Sequence, residues 1–436
     1  MTRSYHITTF GCQMNAADSE LMDGILAARG WQRAESEDAA DVILYNTCVV
    51  REHAEDRALA RLGQLRALKN VRRGLIIGVT GCMAQKDAEA LRERLPHLDL
   101  ILGTRAIANL SPMLDRVLAT GRPQVCVDTL DEPYPTDIVP VRQKPLKALV
   151  NIIFGCNKRC SYCIVPFTRG LEQSRPVGQI VDEVRRSADD GAREITLVGQ
   201  NVNSFRAPGE GTASFGNLLR RVAEAAPGSW IRYITSHPRD CNASHIRAVA
   251  ETPNVCENFH LPVQAGNNRI LERMKRLYTR EAYMELAARI REAIPDATIS
   301  TDLIVGFPGE TVDEFEETLD LLRRVRFDSA YMYLYSPRPG TPAAAEYRDH
   351  VPLAERKRRL AKLIELQEAI SLEKAREMIG RTVEVLIEDV APRTEGDLLA
   401  RTRGDRMVIL PGAPGEVGLF KRVTIHDANA HTLFAR

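Results

Sequence analysis

The sequence predicts an α/β protein built in three parts. These are an N-terminal open parallel α/β sheet domain, a central partial (β/α)6 barrel and a small C-terminal antiparallel β-barrel. Three observations carry this reading. Over residues 1–120, apolar runs alternate with segments of helical period. Over 146–340, six further strand–helix units follow one another. After residue 379 the pattern changes to short period-two runs broken by Gly-Pro turns.

In the N-terminal part, strands are expected at Tyr5–Phe10, Asp41–Asn46, Gly74–Thr80 and Leu98–Leu102. Helices are expected at Asp18–Arg29, Arg51–Lys69, Lys86–Arg94 and Ala106–Ala119. Near-continuous apolar strands between helices argue a parallel sheet covered on both faces. Cys12, Cys48 and Cys82 each sit just past the carboxyl end of one of the first three strands. That edge is where open α/β sheets bind ligands. Three neighbouring strands bring three thiols to one region, and Gly11 and Gly81 let the backbones approach. The bland alternative is three inert core cysteines.

Residues 121–145 read as a linker, with Gly121-Arg122-Pro123 and Glu132-Pro133-Tyr134-Pro135 and little periodicity. Cys126 falls here as a bystander thiol, and Cys241 and Cys256 read as structural.

The central part is expected over 146–375, with strands near Ala148–Phe154, Glu194–Gly199, Ile231–Ser236, Asn258–Val263, Thr298–Val305 and Ser329–Tyr335. Helices intervene, among them Val177–Asp189, Arg280–Ala293 and Val312–Arg324. The first strand is followed by Gly155-Cys156-Asn157-Lys158-Arg159-Cys160-Ser161-Tyr162-Cys163. Nine cysteines placed at random would give this spacing roughly 0.004 times per chain. Three thiolates in one loop can hold three irons of a [4Fe–4S] cube and leave the fourth open. A zinc knuckle, the other reading, lacks a second Cys or His pair at finger spacing. Polar and glycine-rich turns follow the other strands: Gly199-Gln200-Asn201, Ser236-His237-Pro238, Gln264-Ala265-Gly266-Asn267 and Gly306-Phe307-Pro308-Gly309-Glu310. Around a cysteine loop on one barrel face, these describe an active-site mouth, with Gln264, Gly306, Phe307, Pro308 and Gly309 expected at a cofactor pocket.

Pro352–Met378 reads as a long charged helix leading outward. The C-terminal barrel, 376–436, is expected to use Thr382–Ile387, Leu398–Thr402, Met407–Leu410, Lys421–Ile425 and Thr432–Ala435. It carries nine Lys/Arg against nine Asp/Glu, so any nucleic-acid contact must rest on the local cations Arg401, Arg403, Arg406, Lys421 and Arg422. A solvated loop face is the alternative for them.

Bulk composition narrows the setting. A formal net charge of +1 gives no global basic field. No stretch of about 18 apolar residues is present, so no membrane helix is expected. The N-terminus does not read as a signal peptide, and nine unevenly spaced cysteines fit a reducing cytoplasm better than a disulfide framework.

Taken together, Cys156-x3-Cys160-x2-Cys163 at the start of a βα barrel resembles the radical S-adenosylmethionine enzymes. Three strand-end cysteines, this barrel and a C-terminal barrel resemble the methylthiotransferases among them. The C-terminal piece is similar to a TRAM domain, an RNA-binding module. Four runs resemble the MiaB type, which 2-methylthiolates N6-dimethylallyladenosine in tRNA. They are Gly11-Cys12-Gln13-Met14-Asn15, Asn46-Thr47-Cys48-Val49-Val50-Arg51-Glu52, Gly155–Cys160 and Gly199-Gln200-Asn201-Val202-Asn203. The branches acting on ribosomal protein S12 or on threonylcarbamoyladenosine usually read Gly-Cys-Pro-Lys-Asn or Gly-Cys-Lys-Val-Asn at the first cysteine. Gln13-Met14 departs from both. These branches are the alternative enzyme readings. A two-cluster electron carrier would be shorter, with four cysteines per cluster.

The resemblance implies two [4Fe–4S] clusters and S-adenosylmethionine as cofactors. Cys156, Cys160 and Cys163 would hold the cluster that reduces the sulfonium, releasing methionine and a 5′-deoxyadenosyl radical. That radical would take hydrogen from C2 of the adenine. Cys12, Cys48 and Cys82 would hold the auxiliary cluster, whose sulfur, methylated by a second S-adenosylmethionine, is inserted there. The expected partners are the tRNA anticodon stem-loop, an unidentified electron donor and a sulfur source, with the chain a monomer.

Overall fold

The computed structural model describes residues 2–49, 52–127, 135, 137–209, 214–348, 350–392 and 394–436. Val50 and Arg51 of the run after Cys48, and Glu132-Pro133-Tyr134 of the expected linker, lie outside the described residues.

Six parallel strands form the N-terminal sheet: β1 (Ser4–Thr9), β2 (Gln32–Arg33), β3 (Val42–Thr47), β4 (Ile76–Gly81), β5 (Leu100–Leu102) and β6 (Gln124–Cys126), in the order β2-β1-β3-β4-β5-β6. Every residue of β3 and β4 is buried, as expected for strands covered on both faces. Helices α1 (Gln13–Ala28) and α4 (Leu110–Thr120) pack one apolar face through Leu26, Met113 and Leu114. Helices α2 (Glu52–Val71) and α3 (Cys82–Arg94) cover the other through Leu62, Met83 and Leu91. Chain direction across the sheet reverses between β1 and β3, which makes a topological switch point.

The sheet has two strands more than expected. The two residues of β2 are too few to show a period. β6 lies in the stretch read as a linker, and it pairs Cys126 with Leu102. Its three residues carry no apolar run, and only the neighbouring strand calls them into the sheet.

The central strands are β7 (Lys147–Asn151), β8 (Ile153–Phe154), β9 (Gln173–Ser174), β10 (Glu194–Val198), β11 (Trp230–Tyr233), β12 (Asn258–His260), β13 (Thr298–Val305) and β14 (Ser329–Leu334). Two parallel triplets, β7-β10-β11 and β12-β13-β14, meet through an Ile231–Val255 bridge, so six strands follow chain order around an incomplete barrel. The single strand expected at Ala148–Phe154 is broken. Ile153 and Phe154 leave the barrel to pair antiparallel with Ser174 and Gln173, closing the base of the cysteine loop.

The outer layer comprises α5 (Val165–Arg169), α6 (Val177–Asp189), α7 (Phe215–Ala225), α8 (Ala243–Glu251), α9 (Asn268–Arg273), α10 (Arg280–Ala293), α11 (Val312–Val325), α12 (Pro342–Glu346) and α13 (Leu353–Arg376). α11 starts on a capping box between Thr311 and Glu314, the reciprocal bonding that satisfies orphan amides. α13 does not lead outward. Leu363 and Ile370 are buried in the barrel core, and Gln367 donates to the Phe327 carbonyl at 3.0 Å. Its charged positions are a solvated face around that buried stripe.

Strands β15 (Thr382–Val390), β16 (Asp397–Thr402), β17 (Met407–Pro411), β18 (Phe420–Ala428) and β19 (Thr432–Ala435) close a barrel in the order β15-β16-β17-β19-β18. It is not wholly antiparallel, because β17 and β19 pair in parallel. Closure by the last strand forces this pairing and removes the free edges. Among the described residues, no helix is long and apolar enough to cross a membrane.

Candidate cluster and cofactor site

The loop of Cys156, Cys160 and Cys163 leaves the barrel on its carboxyl-terminal face. Gly155 adopts φ +70°, and a Cβ there would lie 2.1 Å from the Leu171 carbonyl oxygen. The tight approach lets the Cys156 amide donate to the Gly170 carbonyl at 3.1 Å. Ser161 anchors the middle of the loop, its amide on Met274 O at 3.0 Å and its hydroxyl on Arg273 O at 2.7 Å. Arg276 is buried beneath. It donates to Cys160 Sγ at 3.4 Å, to the Pro262 carbonyl at 2.6 Å and to Tyr278 Oη at 2.9 Å. The Lys158 amide donates to Cys156 Sγ at 3.4 Å. Its ammonium pairs with Asp240, which also accepts from Asn201 Nδ2 at 2.7 Å. Burial pushes the Cys156 thiol up to about 11. Burial, and then Cys160, push Cys163 up to about 12.

The second set stands at the switch-point edge of the N-terminal sheet. Cys12 is the N-cap of α1, and Cys82 opens α3 after Gly81 at φ +88°. A Cβ on Gly11 would lie 2.7 Å from Cys48 Cβ, and one on Gly81 would lie 2.5 Å from the Thr47 carbonyl oxygen. Only glycine fits these crossings, so the expected close approach of the three strand ends is found. Buried amides lock it. Asn15 Nδ2 donates to Asn46 Oδ1 at 2.9 Å and to Thr47 O at 3.0 Å, and Asn46 Nδ2 donates back to Asn15 O at 2.7 Å. The hydrogen bond from the Cys48 thiol lowers Cys12 to about 5, against its desolvation and with help from Arg169. Cys82 is pushed up by burial, and Arg169 opposes this.

All nine cysteines are free of disulfides. Among the described residues, no three His, Cys, Asp or Glu side chains converge as ligands of one metal ion. A cubane cluster takes one thiolate per iron at separate corners, so it asks for spaced thiols rather than convergent ones. Both three-thiol sets fit that donor requirement.

The barrel mouth fits a polar cofactor. Gln200 Oε1, Ser236 Oγ and Gln264 Oε1 are buried side-chain atoms with no hydrogen-bond partner among the described residues. Thr235 and Gln264 hold left-handed backbone, φ 67° and 73°, at the ends of β11 and β12. Strain of this kind collects at ligand sites. The Gly306–Glu310 turn is different. Phe307 is fully buried, edge-on to Tyr162 of the cysteine loop at 6.4 Å and to Tyr335 at 5.1 Å. Pro308 is buried, and the Gly309 carbonyl accepts from Arg269 at 2.6 Å. Gly306 leaves no room for a Cβ, with Arg356 Cγ at 2.2 Å, and its amide donates to Glu310. Gln264 thus keeps polar capacity, while Phe307 supports the loop by packing.

Three of the cations expected to meet RNA are engaged inside the chain. Arg401 pairs with Glu388 at 3.0 Å, Arg403 with Glu257 in a fork, and Arg406 with Asp328 at 3.0 Å. Arg403 and Arg406 thereby bolt the C-terminal barrel to the base of the central one. Lys421 pairs with Glu416, and Arg422 is exposed. The cluster Arg401–Arg406 drew attention by density of charge, and the carboxylates that neutralise it come largely from distant elements. A polar cavity of about 260 Å³ lies in the barrel, bounded by Gln13, Thr196, Arg232 and Tyr331 and closed below by Arg401 and Asp405. Arg169, Arg276 and the Lys158–Asp240 pair carry no sequence signal of their own.

Comparison with known proteins agrees with this architecture. Residues 4–103 match an uncharacterized protein family, UPF0004, residues 150–322 the Radical SAM superfamily, and residues 376–436 the TRAM domain. Among solved structures, the radical S-adenosylmethionine methyltransferase TsrM from Kitasatospora setae aligns with TM-score 0.60. Its identity is 15%, and the alignment covers 79% of this chain and 76% of that one. At that identity the likeness concerns the fold. A three-cysteine loop on the carboxyl face of a partial βα barrel, within a Radical SAM match, defines a radical S-adenosylmethionine enzyme. The tRNA-2-methylthio-N(6)-dimethylallyladenosine synthase of Thermoanaerobacter pseudethanolicus is 45% identical over 98% of this chain and 91% of that protein. The enzyme of the same name from Moorella thermoacetica is 43% identical over 99% and 97%. The chain belongs to this family of tRNA methylthiotransferases, whose cofactors are S-adenosylmethionine and [4Fe–4S] clusters.

Proposed function

We propose that this chain methylthiolates C2 of N6-dimethylallyladenosine beside the tRNA anticodon, with the labour divided between its two cysteine sets. Residues 146–375 would hold the radical-generating cluster on Cys156, Cys160 and Cys163. Residues 1–120 would hold the auxiliary cluster on Cys12, Cys48 and Cys82. Residues 376–436 would hold the tRNA, and the stretch after β6, up to 145, would join the first two parts. When bound, the clusters and S-adenosylmethionine supply one-electron carbon–sulfur cleavage and the sulfur to be inserted.

The chain's own residues do the rest. Arg276 donates an N–H to Cys160 Sγ and so holds that corner of the loop in place. The Lys158 amide does the same for Cys156. The Lys158–Asp240–Asn201 chain ties the loop to the barrel mouth, holding it at fixed height over the strand ends. Gln200, Ser236 and Gln264 offer unpartnered oxygens to the amino, carboxylate or ribose groups of the cofactor. The target adenosine sits in a single-stranded loop, where a base can be splayed into the mouth without melting a helix. The setting is cytoplasmic and the chain a monomer, with an electron donor and a sulfur source outside it.

The observation that carries this reading is that Arg169, six residues past Cys163, pairs at 2.7 Å with Asp18 on α1, the helix that Cys12 caps. Two three-thiol sets thus share one connection. The test is anaerobic reconstitution followed by an iron count, then incubation with tRNA, reductant and S-adenosylmethionine. About eight irons per chain, 5′-deoxyadenosine and the 2-methylthio nucleoside are expected. Five or fewer irons with product still formed would overturn the two-cluster assignment.

A further inference from the structure

Arg169 ends α5, the short helix that leaves the Cys156–Cys163 loop. Its side chain is 5% exposed and pairs with Asp18 Oδ2 at 2.7 Å, and Asp18 is 2% exposed. These two residues come from different domains, 151 positions apart. Asp18 stands six residues past Cys12 on α1, and the Arg169 charge opposes the burial that raises Cys82. Its main chain is held just as firmly. Arg105 Nε donates to Arg169 O at 3.1 Å, Arg105 Nη2 to Leu171 O at 2.9 Å, and Thr104 Oγ1 to Thr168 O at 2.5 Å. The next carbonyl, Gly170 O, accepts the Cys156 amide at 3.1 Å. One segment therefore joins the Cys156–Cys163 loop to the helix that Cys12 caps.

A lone buried guanidinium costs several kcal/mol of desolvation unless anions surround it. Asp18 supplies one anion. Asp18 lies on α1, the helix whose N-cap is Cys12, so this ion pair fastens the segment to the element that presents the auxiliary set.

We propose that Arg169 is a positioning residue for the auxiliary cluster, holding its thiolates against the segment that carries the radical-generating loop and setting the charge around it. This rests on Cys12, Cys48 and Cys82 binding a cluster. A cation beside the cluster favours the reduced form by electrostatics, and the Asp18 carboxylate opposes it. Arg169 and Asp18 therefore act on the reduction potential with opposite sign, which a merely structural ion pair would not do.

The experiment uses full-length chain with Cys156, Cys160 and Cys163 replaced by Ala, so that only the auxiliary site can load. Iron is counted after anaerobic reconstitution, and the midpoint potential is measured by redox titration with an EPR readout. In that background, Arg169→Gln is expected to lower the midpoint, Asp18→Asn to raise it, and Arg169→Lys to stay near the parent. Equal midpoints in the Gln and parent proteins, or shifts of the same sign for Gln and Asn, overturn the proposal. If Arg169→Gln fails to load, loading of Arg169→Lys with the parent's midpoint supports it, and failure of both with Asp18→Asn unshifted overturns it. A parent that binds no iron while the wild-type chain holds about four defeats the two-cluster reading instead.

Discussion

The guanidinium of Arg232, on β11, donates to the main-chain oxygen of Thr402, on β16, at 2.7 Å. A second donation, to Arg403 O at 2.8 Å, and a pair with Glu194 at 2.6 Å complete its shell. The wall of the central barrel is thereby bonded to the backbone of the C-terminal barrel. Gly404 O accepts from Thr298 Oγ1 at 3.0 Å in the same seam.

Arg232→Met should therefore loosen the C-terminal barrel. Both carbonyls and Glu194 would be left short of a buried partner, a loss of about 3 kcal/mol. Chemical denaturation should show the lower midpoint, and limited proteolysis should cut between 376 and 382. An unchanged midpoint and an intact junction would show that the seam is held elsewhere.

Gly11→Ala should empty the auxiliary site alone. The added Cβ meets Cys48 Cβ at 2.7 Å and Asn15 Oδ1 at 2.9 Å, at a φ of +144° that L-residues avoid. Iron should fall from about eight to about four per chain, with 5′-deoxyadenosine still formed. Full iron content in this variant would contradict the crossing described above.

The two cysteine sets should separate by product. Cys160→Ala should abolish 5′-deoxyadenosine, while Cys82→Ala should leave uncoupled cofactor cleavage and stop methylthio transfer. Liquid chromatography with mass detection reads both. Loss of cleavage in Cys82→Ala, with the first cluster spectroscopically intact, would reverse the assignment.

His245 should make stability pH-dependent. It is wholly buried against Phe215, Tyr233 and Phe259, and burial alone depresses it to about 3. The unfolded imidazole titrates near 6.5, so on acidification the unfolded state takes the proton first. Stability from this group is complete above about pH 6.5 and is lost below it, by up to ~1.4 kcal/mol per pH unit. His245→Phe should lose less between pH 6.5 and 5, by about 2 kcal/mol, in denaturant titrations. Parallel curves for the two proteins would refute it.

Arg422→Glu should weaken tRNA binding without touching the fold. Arg422 is exposed on β18 and takes no part in the ion pairs of Arg403 with Glu257 and Arg406 with Asp328. Filter binding should show a salt slope smaller by about 1, at constant Tm. A change in Tm with equal affinity would instead make it a structural residue.

The element types and the three-part order were legible because period and turn residues are local. So was the close approach of the strand ends that carry Cys12, Cys48 and Cys82, since strand ends in a parallel sheet share one edge and Gly11 and Gly81 mark the crossings. Phe307 was harder. A Gly-Phe-Pro-Gly turn reads the same whether its aromatic ring lines a pocket or fills a core, and here it meets Tyr162, Tyr335 and Tyr347. β6 was missed because three residues beside a strand are defined by their neighbour alone.

By itself, the sequence determined the chemistry available: six cysteines in two spacings, placed by strand periodicity at the reactive edges of two α/β units. The tertiary structure decided what surrounds them. Arg169 reaches Asp18 of the N-terminal domain, Arg276 underlies Cys160, and Arg401, Arg403 and Arg406 turn inward to carboxylates. Residues 116 and 151 positions apart meet in those contacts. A long flexible side chain has no preferred partner in the unfolded chain, so only the closed packing of domains can select one.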